Sequence, residues 1–122
     1  MKPLLLFVDD DMVDVELSWL TLAKAGIHVE SRRVIDEAGL AAALAERLPD
    51  MVLADICLPQ FDAWDARRIC QRVCPGVPFV IYSGTVTKET ERLAKIEGVL
   101  GTAEKDSPRE FVKLVRRALG MP

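Results

Sequence analysis

The chain has 122 residues, half of them apolar (50%) and 29% charged, with 19 acidic against 16 basic side chains and a formal net charge of −3. That length suits one domain, 1–122, with a core large enough to fold without disulfides or a structural metal, and the charge balance speaks against a nucleic-acid surface covering much of it. No apolar run approaches the ~20 residues of a membrane span or carries the flanks of a signal peptide, so a cytoplasmic protein with no membrane contact is expected.

The first apolar run, LLLFV at 4–8, predicts a buried strand, and four carboxylates follow it within six positions: Asp9, Asp10, Asp11 and Asp14. Like charges this close repel, and a chain that keeps them ionised beside a core offsets them with a cation. Residues 12–25 have helical character and end at Gly26, a natural C-terminal cap. On this helix Val13, Leu17 and Leu20 fall on one side and Val15, Trp19 and Leu22 roughly opposite, at ~100° per residue. One stripe is enough to face a sheet, which leaves the other as a candidate docking face.

A second strand, HVESRRV at 28–34, mixes in charge and suits a sheet edge. A helix over 37–48 starts after Asp36 as N-cap and stops at Pro49. The strand MVLA at 51–54 runs into Asp55, a helix spans 63–74, and FVIY at 79–82 forms the fourth strand, ending at Ser83. A helix over 88–97 stops at Gly98, and GVLGTA at 98–103 is the fifth strand, with Lys105 just beyond it. The last helix opens with SPRE, where Ser107, Pro108 and Glu110 predict a capping box.

With one histidine, His28, no zinc set can be assembled. Cys57, Cys70 and Cys74 are expected as free, buried or half-buried thiols. The basic runs at Arg67, Arg68 and Arg72 and at Lys113, Arg116 and Arg117 read as solvated helix faces.

Five strands alternating with five helices imply a doubly wound α/β sheet, parallel because each crossover is a helix. In such sheets ligands bind outside the carboxyl ends of the strands. Asp9 and Asp10, Asp55, Ser83 and Lys105 each follow a different strand, so three carboxylates, a hydroxyl and an ammonium converge on one edge. Magnesium takes oxygen ligands and is typically held by one or two carboxylates plus a phosphate. Asp10 and Asp55 are candidate direct ligands, with Asp9 acting through a bound water. A carboxylate in a site so neutralised can attack a phosphoryl donor. Lys105 then offers a charge to one phosphoryl oxygen and Ser83 a hydroxyl donor to another, with Gly84 leaving the approach open.

These residues resemble the receiver domain of two-component response regulators (the CheY-like superfamily) along the whole chain. The resemblance rests on FVDDD with Asp9 and Asp10, LADICLPQFD with Asp55 at the phosphoacceptor position and Pro59 four residues on, VIYSG with Ser83, and TAEKDSP with Lys105. It implies a flavodoxin-like five-stranded sheet in the order 2-1-3-4-5 flanked by five helices. It also implies phosphorylation of Asp55 by a histidine kinase or histidine phosphotransfer protein, with Mg²⁺ held by Asp10, Asp55 and the backbone carbonyl of Cys57. Such a domain is a signalling switch that catalyses only its own phosphorylation and dephosphorylation. Phosphorylation would reshape the face formed by the fourth helix, fifth strand and fifth helix, toward a downstream protein, an output domain or a second copy, with no direct nucleic-acid binding.

Three positions depart from the family's pattern. Thr102 replaces an aromatic residue of the fifth strand, and Tyr82 is not an obvious substitute. Ala63 replaces a glycine after Asp62, which limits that loop to ordinary backbone angles. Asp106 replaces a proline whose bond to the lysine tends to be cis, a geometry that costs ~3 kcal/mol without proline.

Two rival readings exist. DDDMV also fits a haloacid-dehalogenase-type phosphohydrolase with Asp9 as nucleophile, but no later acidic pair and no cap accompany it. A receiver-like interaction module that does not turn over phosphate would not need the intact set of Asp9, Asp10, Asp55, Ser83 and Lys105.

Overall fold

Leu4–Val8 is buried along its whole length and forms β1, as an unbroken apolar run in a parallel sheet must. In the computed structural model, which describes residues 1–122, it is followed by α1 (Met12–Lys24), β2 (Glu30–Val34), α2 (Glu37–Glu46), β3 (Met51–Ala54), α3 (Ala63–Val73), β4 (Phe79–Ser83), α4 (Lys88–Ile96), β5 (Gly101–Glu104) and α5 (Pro108–Ala118). All strand pairs are parallel and the order is β2-β1-β3-β4-β5. The charged β2 lies at one edge, mostly exposed, as its composition predicts. No helix is long and apolar enough to cross a membrane.

Successive side chains of a strand point to opposite faces, and the sheet sorts its core accordingly. Leu6, Val8, Val52, Ala54, Phe79 and Ile81 pack with Leu40, Ala66 and Cys70 of α2 and α3. Leu5, Phe7, Met51, Leu53, Val80 and Tyr82 pack with Leu22, Phe111 and Val115 of α1 and α5. The sheet is therefore covered on both faces, and its strand ends lie outside that packing.

Helix starts follow the sequence closely. Asp11, Asp36, Asp62 and Thr87 each cap a helix by accepting from an amide of its first turn. Gly26 and Gly98 follow α1 and α4 with φ of 80° and 70°, the left-handed geometry their lack of a Cβ permits. The expected capping box at α5 does not form. Ser107 makes no side-chain cap bond, and its hydroxyl instead lies 3.5 Å from Asp106. The fifth strand begins at Gly101 rather than 98, because the Gly98 and Val99 amides return to Lys95 and Ala94 and close α4. The second begins at Glu30 rather than 28, after the Ile27 amide has returned to Leu22. No peptide bond is cis, so Lys105–Asp106 is trans, and only glycines have positive φ.

Arg67 is not on a solvated face. It is buried, its guanidinium lies 5.6 Å from the centroid of Phe79, and its Nε and Nη2 donate to the carbonyls of Glu97 (2.9 Å) and Gly98 (3.1 Å) at the end of α4. Its neighbour Arg68 is exposed and pairs with Glu97 and Asp65. Cys70 and Cys74 are buried free thiols as expected, and burial beside Cys74 pushes Cys70 up to about 12. Cys57 departs from that expectation and is exposed.

Because Arg67 satisfies two carbonyls at the turn into β5, Arg67→Ala is expected to cost about 2–3 kcal/mol in urea unfolding with an unchanged denaturant slope. A loss under ~0.5 kcal/mol would mean that water replaces the guanidinium there.

Candidate functional site

The end of β1 carries Asp9, that of β3 Asp55, that of β4 Ser83 and that of β5 Lys105, and the parallel topology brings all four together. Lys105 Nζ sits 2.8 Å from Asp9 Oδ2 and 2.8 Å from Asp55 Oδ2. Asp55 Oδ1 accepts from the Ser83 hydroxyl at 2.7 Å and from the Cys57 amide at 2.8 Å. Asp9 Oδ1 accepts from the Asp11 amide at 2.9 Å. Asp9, Asp55 and Ser83 are all buried, so each oxygen of Asp55 meets a donor and the carboxylate is fixed in orientation.

The acidic run divides its work. Asp11 is a helix cap, its Oδ1 accepting from the Val13 and Asp14 amides. Asp10 is exposed at the mouth, and the carbonyls of Asp9 and Asp10 accept from Arg33 Nη1 at 3.3 and 3.4 Å. Cys57 turns its amide toward Asp55 while its side chain faces solvent, which explains its exposure. A Cβ at Gly84 would meet nothing within 4 Å, so packing does not demand a glycine there.

Sequence reasoning assigned no role to Asp14, yet its Oδ2 is the third carboxylate oxygen 2.8 Å from Lys105 Nζ. The available signal was its spacing. Asp14 lies one helical turn after Asp10, in the first turn of a helix that begins over the strand ends.

The electrostatics follow from this shared ammonium. Burial raises the Asp9 carboxyl above its usual range, and hydrogen bonds from Lys105 and the Asp11 amide offset this only in part. Burial also acts on Asp55, but donors at Lys105, Cys57 and Ser83 outweigh it and hold that carboxyl below its usual range. Burial alone would depress Lys105, whereas hydrogen bonds to Asp14, Asp55 and Asp9 hold it well above the ordinary lysine range. The site thus presents an ionised, oriented carboxylate beside a permanent cation.

One ammonium faces three carboxylates, so the cluster is net negative, and its side-chain donors are all oxygen. That donor set fits a hard divalent cation. The carboxylates converge on the ammonium and not on a point of their own: no three His, Cys, Asp or Glu side chains are placed to hold a metal ion without rearrangement.

Tyr82, one residue before Ser83, is buried on the α1 and α5 side. Its ring stacks on Phe111 with centroids 4.4 Å apart, and its hydroxyl is 2.8 Å from Ser18 Oγ. Thr102 is only half-buried. On α1 the stripes resolve clearly, because Val15 and Leu22 are buried while Val13, Leu17, Leu20 and the neighbouring Met12 are exposed. Trp19 is partly exposed and does not join Val15 and Leu22 in the core; its Nε1 donates to the Val29 carbonyl at 2.8 Å.

Solved structures share this architecture. The receiver domain of NtrX from Brucella abortus is 28% identical, with 98% of this chain and 99% of that one covered and a TM-score of 0.80. The longer NtrX chain from the same organism is matched at 28% identity and a TM-score of 0.84, but this chain spans only 27% of its length. A CheY-like response regulator receiver domain protein from Methanospirillum hungatei JF-1 has the same fold at 19% identity, with a TM-score of 0.82 over 98% of this chain and 95% of that one. No family model matches the sequence, and no curated protein does.

Replacing Lys105 by methionine is expected to leave the three carboxylates facing one another and to destabilise the fold by on the order of 3 kcal/mol at pH 7. The affinity of Asp9 for protons, already above its unfolded value, then rises further, and that of Asp55 rises above its unfolded value. Groups so raised cost stability while ionised, and the cost is recovered as pH falls through the folded-state value. Urea unfolding should therefore show the variant gaining stability from pH 7 to 5 relative to the wild type.

Proposed function

We propose, on the premise that the chain is a response regulator receiver domain with a role in two-component signalling, that it is a switch thrown by phosphorylation of Asp55. The observation that carries this reading is the state of Asp55, an ionised carboxylate with both oxygens oriented by Cys57, Ser83 and Lys105. An Asp55 oxygen attacks the phosphorus of a phosphohistidine on a histidine kinase or histidine phosphotransfer protein. The new O–P bond forms as the P–N bond breaks, and the departing imidazole takes its proton from solvent. Lys105 remains as a counter-charge for a phosphoryl oxygen, and the Ser83 hydroxyl exchanges its carboxylate acceptor for another phosphoryl oxygen. Asp9, Asp10, Asp55 and the Cys57 carbonyl would hold Mg²⁺, which supplies neutralisation of charge on the phosphoryl group.

The exposed stripe of Val13, Leu17 and Leu20, beside Trp19, fits the docking of an apolar helix from the phosphodonor. The α4, β5 and α5 face is charged, with Lys88, Arg92, Lys95 and Lys113 among its exposed residues. It is the face through which phosphorylation would change affinity for a downstream protein, an output domain or a second copy. Drawing Ser83 toward a phosphoryl group would pull on the β4–α4 loop, which the Val86 amide ties to Glu104 Oε2 at 2.9 Å. Asp9 is the weaker candidate for a nucleophile, since burial raises its carboxyl above the usual range while donors hold that of Asp55 below it.

Intact mass after incubation with Mg²⁺ and acetyl phosphate is expected to show one added phosphoryl group on the wild type. None is expected on Asp55→Asn or on a sample with chelator. Steady release of phosphate from many donors without a labelled protein would instead favour a phosphohydrolase, and no label at all an interaction module.

For the docking face, the Leu17→Glu, Leu20→Glu double variant is expected to lose phosphotransfer from a protein donor at least tenfold more than labelling by acetyl phosphate. Equal losses with both donors would remove α1 from the docking role.

A further inference from the structure

Lys105 has one more partner than the phosphoacceptor reading uses. Its ammonium is equidistant, at 2.8 Å, from Asp9, Asp55 and Asp14. Asp9 and Asp55 belong to the proposed metal-ligand set and are nearly sealed from solvent. Asp14 stands outside that set, with its side chain 36% exposed. A divalent cation drawn to Asp9, Asp10 and Asp55 must therefore share two carboxylates with an ammonium already seated on them, and the two positive charges repel. The ammonium needs an acceptor that the incoming cation does not claim.

We propose that Asp14 is a positioning residue: it retains the Lys105 ammonium when a divalent cation takes over Asp9 and Asp55, and so sets the affinity of the site for that cation. The inference rests on the metal-dependent reading of the site given above. Two further observations support it. The backbone of Asp14 is held at both ends, its amide donating to Asp11 Oδ1 at 3.1 Å and its carbonyl accepting from Ser18 Oγ at 2.8 Å. Ser18 in turn is bonded to Tyr82, so the helix end that presents Asp14 is tied to the sheet. A cavity of about 70 Å³ lined by Asp14, Lys105, Tyr82 and Phe111 leaves the lysine side chain room to swing toward α1.

Without the Asp14 charge the ammonium stays committed to Asp9 and Asp55, and the metal competes with it for both. The effect must then vanish when there is no ammonium to displace. A general loss of negative charge would act alike with or without Lys105.

The test is a titration of the full chain with Mn²⁺ alone, reading the free ion by electron paramagnetic resonance. Asp14→Asn is expected to weaken Mn²⁺ binding by about threefold to tenfold. Glu16→Gln, which removes an exposed charge from the same helix without touching Lys105, should change it by less than about twofold. In a Lys105→Ala background the effect of Asp14→Asn should shrink to that of Glu16→Gln. Asp14→Glu, which keeps a carboxylate in reach of Lys105, should restore most of the affinity, and Asp14→Ala replaces Asp14→Asn if the latter does not fold. Equal losses in both Lys105 backgrounds, or from Glu16→Gln, would overturn the role of Asp14 while leaving the metal site standing. A wild type that binds no Mn²⁺ at millimolar concentration would overturn the metal-dependent reading itself, and this inference with it.

Discussion

The sharing of one ammonium among three carboxylates is the constraint on which the rest of this molecule turns. Lys105 joins the ends of β1, β3 and β5 and the first turn of α1, with partners 50 and 91 residues away in the chain. Removing such charges from water is costly, and the geometry must be good for attraction to offset that cost. Here three bonds of 2.8 Å meet the condition. The same contact keeps Asp55 ionised although it is buried, with both of its oxygens held by donors.

The sheet topology is what allows such a meeting. In the order β2-β1-β3-β4-β5 the chain reverses direction of growth between β1 and β3, and a crevice opens outside the carboxyl ends of those two strands. Asp9 and Asp55 flank it, with Ser83 and Lys105 reaching in from the next strands. The ion cluster of Lys105 with Asp9, Asp14 and Asp55 closes that crevice.

From the crevice, a packed path leads toward α1 and α5. Ser83 touches Asp55 on one side and follows Tyr82 in the strand, and Tyr82 stacks on Phe111 and bonds to Ser18. Thr102 in β5 carries no ring to play a similar part. Tyr82 is thus held between Phe111 of α5 and Ser18 of α1, and α1 also bears the exposed apolar stripe.

Much of this was legible in the chain itself, for local reasons. A continuous apolar run such as LLLFV has no stable place except the centre of a covered sheet. Aspartates before helical periodicity cap because their side chains reach the free amides of the next turn. Strand ends in a parallel sheet share one edge, so Asp9, Asp55, Ser83 and Lys105 could be placed together from order alone. What only the tertiary structure decided was how polar side chains divided among competing partners. Ser107 leaves its helix uncapped, Arg67 turns inward to two carbonyls while Arg68 stays in solvent, and Asp14 reaches Lys105 across 91 residues. Periodicity records which residues avoid water, a property of each side chain alone. The partner of a charge depends on distances between elements, which exist only once the sheet has formed.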